Sequence, residues 1–156
     1  MAKVNWAFST FEGLTARELY AILKLRQEIF IIEQNCIYPD IDGWDQKSYH
    51  LMGWDTDRQL ATYARIIPPG VKGEEASIGR IITREDMRGS GFGKDVVRKS
   101  IAKIVQFFPN QPIKIQAQHY LERFYAEFGF KTISEKPYEW DGIDHVDMLL
   151  TPSDSV

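Results

Sequence analysis

A mixed α/β (α+β) fold is predicted by three features of this 156-residue chain. Short apolar segments with strand-like alternation are separated by turn-forming residues. Two longer segments, residues 15–30 and 92–108, carry apolar side chains at helical spacing. In mid-chain a strand, a glycine-rich loop, a helix and a second strand follow one another over residues 77–117. That succession is long enough for a right-handed crossover, so one parallel strand pair is expected inside an otherwise mostly antiparallel sheet. The length suits one domain covering residues 1–156.

The elements follow in order. Residues 4–8 make a short first strand. Thr15 and Glu18 form a capping-box pattern, and Leu19, Ile22, Leu23, Arg26 and Phe30 then recur at helical spacing. Residues 33–47, EQNCIYPDIDGWDQK, are irregular, rich in turn formers and too long for a simple connector, which marks a binding loop. Residues 49–54 and 60–67 read as a hairpin joined by residues 55–59, its second strand ended by Pro68-Pro69-Gly70, and residues 77–83 as another strand. Phe92, Val96, Val97, Ile101, Ile104, Val105 and Phe108 trace one face of a helix that Pro109 and Pro112 stop. Ile113, Ile115 and Ala117 alternate as a strand. Residues 120–128 form a short helix ending at Gly129. Thr132 and Ile133 fit a short strand, and a last hairpin over residues 138–150 turns at Asp141-Gly142.

Composition narrows the class. The chain is 44% hydrophobic and 26% charged, a soluble globular balance. No apolar run reaches the ~20 residues a membrane span needs, and the start lacks a signal-peptide core, so the cytoplasm is the expected compartment and no membrane partner is expected. A lone cysteine, Cys36, rules out an internal disulfide and a multi-cysteine metal site and reads as a buried free thiol. The net charge of −3 argues against nucleic acid as a partner. Its distribution is uneven. Residues 80–103 hold seven basic and three acidic side chains, a local +4 that leaves −7 for the rest. Positive charge gathered around glycines is suited to holding an anion.

Those glycines lie in MRGSGFGK, residues 87–94. Neither common nucleotide template fits. A Walker A loop would need glycine at Arg88 and a hydroxyl residue at Asp95. The dinucleotide fingerprint needs G-x-G-x-x-G, whereas the spacing here is G-x-G-x-G. The pattern [QR]-x-x-G-x-[GA] does fit, through Arg88, Gly91 and Gly93. With the strand before it, the helix after it and the later AEFGF segment, the chain resembles the GNAT family of N-acetyltransferases. The stretch EIFIIEQNCIYPDIDGWDQKSYHL is further similar to the ElaA-like branch.

The resemblance implies a GNAT-like fold: a mostly antiparallel sheet with one βαβ unit splayed for coenzyme A, flanked by about four helices. It implies direct transfer of the acetyl group of acetyl-CoA to an amine in a ternary complex, without a metal. It also implies that Arg88, Gly89, Ser90, Gly91, Phe92, Gly93 and Lys94 grip the pyrophosphate on a helix N-terminus. The backbone of Ile81, Ile82 and Thr83 would pair with the pantetheine arm, with an oxyanion donor expected at the Ile82 N–H. Tyr125 occupies the place of the acid that protonates the leaving thiolate, and a core tyrosine is the competing reading. Where many relatives place an asparagine after the fifth strand, this chain reads AQHYLERF, which leaves Gln118 or His119 to bind the arm.

For the base that deprotonates the acceptor, Glu33 ranks first, followed by His50, then Asp42 and Asp45. The acidic residues 33–45 hint at a cationic acceptor, with solvated loop acids as the plainer alternative. The acceptor amine belongs to a small molecule or to a peptide or protein, and a homodimer is compatible with the resemblance. The rival class is a catalytically idle GNAT-like module that binds coenzyme A as a sensor or partner protein.

Overall fold

The computed structural model describes residues 3–152. Eight strands form one sheet: β1 (Asn5–Thr10), β2 (Tyr49–Trp54), β3 (Leu60–Ile67), β4 (Ala76–Thr83), β5 (Ile113–Gln118), β6 (Lys131–Thr132), β7 (Tyr138–Trp140) and β8 (Ile143–Leu150). The path runs β1-β2-β3-β4-β5-β8-β6, with β7 also on β8. Every pairing is antiparallel except β4 with β5, the pair joined by the crossover helix. The described residues contain three α-helices: α1 (Ala16–Arg26), α2 (Phe92–Phe107) and α3 (Glu122–Ala126). About four were expected. The difference lies after α1, which runs on as a π-helical stretch, Gln27–Glu33, and is followed by chain without α-helix up to β2. No helix of the described residues is long and apolar enough to cross a membrane.

Local chemistry explains these elements. Thr15 Oγ1 accepts from the Glu18 N–H at 3.1 Å, and Glu18 Oε1 accepts from the Thr15 N–H at 2.8 Å, so both halves of the capping box form. The tail hairpin turns at Asp141 and Gly142, both with positive φ, the geometry of a tight primed turn. Two cores lie on opposite faces of the sheet. Val96, Val97 and Ile104 of α2 pack with Tyr125 and Phe130 on one side, and Ile22, Leu25 and Ile29 pack on Met52, Tyr63 and Ile82 on the other.

Residues 34–47 are held by charge instead of helix. Arg26, fully buried on α1, donates from Nε to Asp40 Oδ2 at 2.9 Å and from Nη1 to Asp45 Oδ1 at 2.7 Å. Arg65 of β3 donates from Nη1 and Nη2 to the two Asp42 oxygens at 2.8 and 2.9 Å, and from Nη1 to Asp45 Oδ1 at 3.1 Å. Arg80 of β4 sets its Nε 2.7 Å from Asp40 Oδ1 and donates from Nη2 to Asp42 Oδ2 at 3.2 Å. Three arginines on three elements thus meet three aspartates of one loop. Burial alone would raise the Asp42 carboxyl. The Arg65 hydrogen bond and charge, the Trp44 N–H and Arg80 outweigh it and hold the group at about 2. The acidic loop is therefore internally neutralised, which removes the reason to expect a cationic acceptor.

Replacing Arg26 with methionine leaves Asp40 and Asp45 buried without their shared partner. We expect a loss of about 3–5 kcal/mol in urea unfolding at pH 7. Because the Asp42 pKa in the folded state lies below the ordinary 3.8, its contribution is complete above pH 3.8 and disappears as pH falls toward 2. Melting curves should hold level from pH 6 to 4 and drop below that. A Tm that is flat down to pH 2 would contradict the ion-pair account.

Candidate functional site

β4 and β5 pair at only two positions, Ala76↔Ile113 and Ser77↔Lys114. Beyond them the strands diverge and leave a cleft of about 860 Å³. Ile81, Ile82 and Thr83 line one wall, Ile115 to Gln118 the other, and Glu33, Gln34, Arg88 and Gly93 also border it. The divergence coincides with a β-bulge. The β3–β4 register steps from Tyr63↔Ile82 to Arg65↔Gly79, so β4 carries one extra residue there. Arg80 absorbs it with φ of +52°, a left-handed conformation costly for a side-chain residue. Its ion pairs to Asp40 and Asp42, with its guanidinium 5.8 Å from the Phe30 ring and 5.7 Å from that of Tyr38, hold it there.

The bulge sets which backbone groups face the gap. Thr62 Oγ1 donates to Ile82 O at 2.8 Å, and the Arg84 N–H donates to Ala61 O at 2.7 Å. Ile82 O therefore points toward β3, and in an extended strand the N–H of the same residue points the same way. By alternation Ile81 and Thr83 turn toward the cleft, and Thr83 O indeed accepts from Arg88 Nε at 2.9 Å on that side. The Ile82 N–H, expected as the oxyanion donor, therefore faces β3, and the Ile81 N–H faces the cleft.

The glycine loop borders one end of this cleft. Gly89 and Gly91 have φ of +85° and +87°, which glycine alone adopts without strain, and a Cβ at either would meet nothing within 4 Å. Gly91 caps α2 with no side-chain hydrogen bond, and the Asp95 N–H is the first to bond back to the Gly91 carbonyl. The N–H groups of Phe92, Gly93 and Lys94 are therefore left over from the helix ladder, at the positive end of its dipole. Gly93 borders the cleft, whereas Phe92 turns its ring into the core. Arg88 reaches across to Glu33, with Nη2 at 3.1 and 3.0 Å from the two carboxylate oxygens, and Lys94 lies 3.5 Å from Glu127 on the exposed side.

The remaining sequence-predicted residues separate clearly. Tyr125 belongs to both readings: its ring packs edge-on to Phe124 and Phe130 in the core, and it also lines the cleft. Burial pushes its phenol well above the ordinary value, so it stays protonated and able to donate. His119 is not among the residues lining the cleft; it lies half exposed with Nε2 3.7 Å from Glu122. Gln118 lines the cleft instead, its Nε2 donating to Gln34 Oε1 at 3.3 Å.

Among the candidate bases, Glu33 borders the cleft in its pair with Arg88. His50 is fully buried and both ring nitrogens are used. Nε2 donates to Asp45 O at 2.9 Å and Nδ1 accepts from the Tyr63 hydroxyl at 2.7 Å. Burial lowers its pKa, so it stays neutral. Asp45 is buried between Arg26 and Arg65, and Asp42 is too acidic to take a proton from an ammonium. Cys36 is buried, as its lone occurrence implied, and its thiol donates to Asp141 O at 2.8 Å.

One residue without a sequence signal does reach the cleft. His145 on β8 pairs with Gln118 in register and stacks on Tyr138 at 6.0 Å. Its Nδ1 lies 2.7 Å from Ile143 O. A carbonyl only accepts, so Nδ1 carries the proton and Nε2 keeps a lone pair, with no partner among the described residues. The same cleft is also lined by Tyr125, whose phenol stays protonated.

Comparison with known proteins bears out the fold. The acetyltransferase (GNAT) domain family matches residues 24–152. Protein ElaA of Escherichia coli is 38% identical over 93% of this chain and 95% of its own length. A UPF0039 protein of Synechocystis is 40% identical over 95% of this chain and 96% of its own. Among solved structures, an acyl-CoA N-acyltransferase from Pseudomonas aeruginosa superposes with a TM-score of 0.91 at 32% identity, covering 96% of this chain and all of the other. Escherichia coli ElaA superposes at 0.88 and 36% identity, covering 94% and 99%.

Gly93 offers the cleanest probe of the loop, because its backbone is helical and a Cβ meets only ordinary contacts, Thr83 at 3.8 Å and Phe124 at 4.0 Å. Gly93→Asp should fold and yet lose the thermal stabilisation by acetyl-CoA, since it sets a carboxylate against the anion site. Equal Tm shifts for Gly93→Asp and wild type would place the phosphate site elsewhere. Gly91→Asp is a poorer test, because its positive φ penalises folding too.

Proposed function

The chain belongs to the GNAT acetyltransferase family, and from that premise we propose that it moves the acetyl group of acetyl-CoA to an amine by direct attack in a ternary complex. The observation that carries the reading is the bulged, unpaired edge of β4 leading to the uncapped N-terminus of α2. Extended backbone N–H and C=O groups there suit a pantetheine arm, and the glycine loop suits its pyrophosphate. No side chain closes the space in front of Gly89 or Gly91.

In the proposed chemistry His145 Nε2 takes a proton from the incoming ammonium, which frees the nitrogen lone pair. The nitrogen bonds to the thioester carbonyl carbon while the Ile81 N–H donates to the oxygen that gains charge. The C–S bond then breaks with its electron pair on sulfur. Tyr125 donates its phenolic proton to that thiolate and is restored, through solvent, by the second proton that the nitrogen sheds, giving free thiol and neutral amide, while His145 releases the first proton to solvent. Glu33, clamped by Arg88, orients that guanidinium at the mouth of the cleft and leaves proton transfer to His145.

Thiol release from acetyl-CoA with a panel of small amines and peptide N-termini tests the activity. Release that depends on an amine supports it; stabilisation by acetyl-CoA with no turnover on any acceptor favours the idle module.

Tyr125→Phe removes one hydroxyl and keeps the packed ring. With a saturating acceptor, the turnover rate should fall by about 10²-fold while Tm and acetyl-CoA affinity hold. An unchanged rate with a modest Tm shift would leave Tyr125 as core alone.

A further inference from the structure

The cleft continues past the bulge toward the beginning of β4, away from the glycine loop. This far corner is lined by Trp44, Arg65, Lys72 and Ser77. Its charges are not balanced. Arg65 and Arg80 are matched by aspartates and Arg88 by Glu33. Lys72 has no ion pair among the described residues; its ammonium lies 6.0 Å from the Trp44 ring, which Lys47 also approaches at 5.6 Å. Beside it, Arg65, only 3% exposed, keeps its Nε without any hydrogen-bond partner. The Ser77 hydroxyl has no partner among the described residues either.

An unpaired ammonium at the cleft wall, beside a buried arginine whose Nε donor is unmet, leaves this corner with one positive charge that no carboxylate among the described residues pairs. The local field agrees. Burial depresses the Lys72 pKa, and Arg65, Arg80 and Lys114 depress it further against the single opposing pull of Asp42. The corner is remote from the glycine loop: Ser77 and Thr83 lie six positions apart on β4, roughly 20 Å of extended strand. An anion held here therefore belongs to the acceptor.

We propose that Lys72, backed by Arg65 and Ser77, binds a carboxylate of the acceptor, so that the substrate is an amine carrying a carboxylate and not a polycation. This rests on the amine-acyltransfer reading above and adds the acceptor's class. The rings of Trp44, Tyr38 and Trp140 along the same space favour acceptors with an apolar body between or beside the two charges.

The test uses amines in matched pairs that differ only by a carboxylate: phenylalanine and phenethylamine, tryptophan and tryptamine, 5-aminovalerate and butylamine. Each is assayed for turnover with acetyl-CoA and titrated by calorimetry onto the coenzyme A-bound protein. In at least one pair the carboxylated member should be preferred by about 10-fold or more, the size of one charge-assisted hydrogen bond. Lys72→Met should abolish that preference, Lys72→Arg should keep most of it, and neither should alter the Tm shift given by acetyl-CoA. Equal binding within every pair, or a preference that survives Lys72→Met, overturns the proposal. Preferential binding of carboxylated members without any turnover would instead sustain the anion corner and refute amine acylation.

Discussion

The sheet stops being a sheet after two residues of parallel pairing, and the rest of the site depends on that interruption. Had β4 and β5 continued in register, the N–H groups of Ile81 and Thr83 would be spent on β5 and no cleft would exist. The interruption coincides with one inserted residue, Arg80, in a backbone conformation that its side chain disfavours. Such a conformation persists only where its surroundings over-determine it. Here they do so through two aspartates and two aromatic rings.

The same arginine links cleft to loop. Asp40 and Asp42 fix Arg80 on β4, while Asp45 and Asp40 tie the loop to Arg26 on α1. The three-arginine, three-aspartate cluster thus shapes the bulge on one side and the loop wall of the cleft on the other. A hydrophobic cluster of equal volume could bury as much surface, but it could not impose the directional contacts that hold a left-handed residue in mid-strand. The chemistry we propose follows from this: a polarising N–H on β4, a protonated phenol from α3 and a lone pair on β8 converge on one gap.

The sequence made much of the architecture legible. The capping box at Thr15, the helical stripe of α2 and the hairpin at Asp141-Gly142 each state their structure through local rules, and the glycine motif marked the uncapped start of α2. What was not legible is long-range. Arg26 stood in the helical stripe of α1 and Arg65 within the strand at residues 60–67, and nothing local marked either as an ion-pair partner; only folding brings them to Asp40, Asp42 and Asp45. The orientation of Ile82 turns on a one-residue bulge, which periodicity cannot register. His145 had no motif because its fixed tautomer comes from a carbonyl two residues away, and its neighbours Gln118 and Tyr138 are brought in by strand register. His119 and Gln118 were equivalent on paper; the 3-10 turn at His119–Leu121 turns only one of them into the cleft.

The most direct test is residue-resolved amide hydrogen exchange on β4, with and without acetyl-CoA. The account predicts that the Ile82 amide is already protected in the free protein, while those of Ile81 and Thr83 exchange fast and slow markedly when acetyl-CoA is added. Protection of all three amides before acetyl-CoA is added would mean a closed sheet, and no change on adding it would mean that the β4 edge does not receive the pantetheine arm; either result would contradict the account.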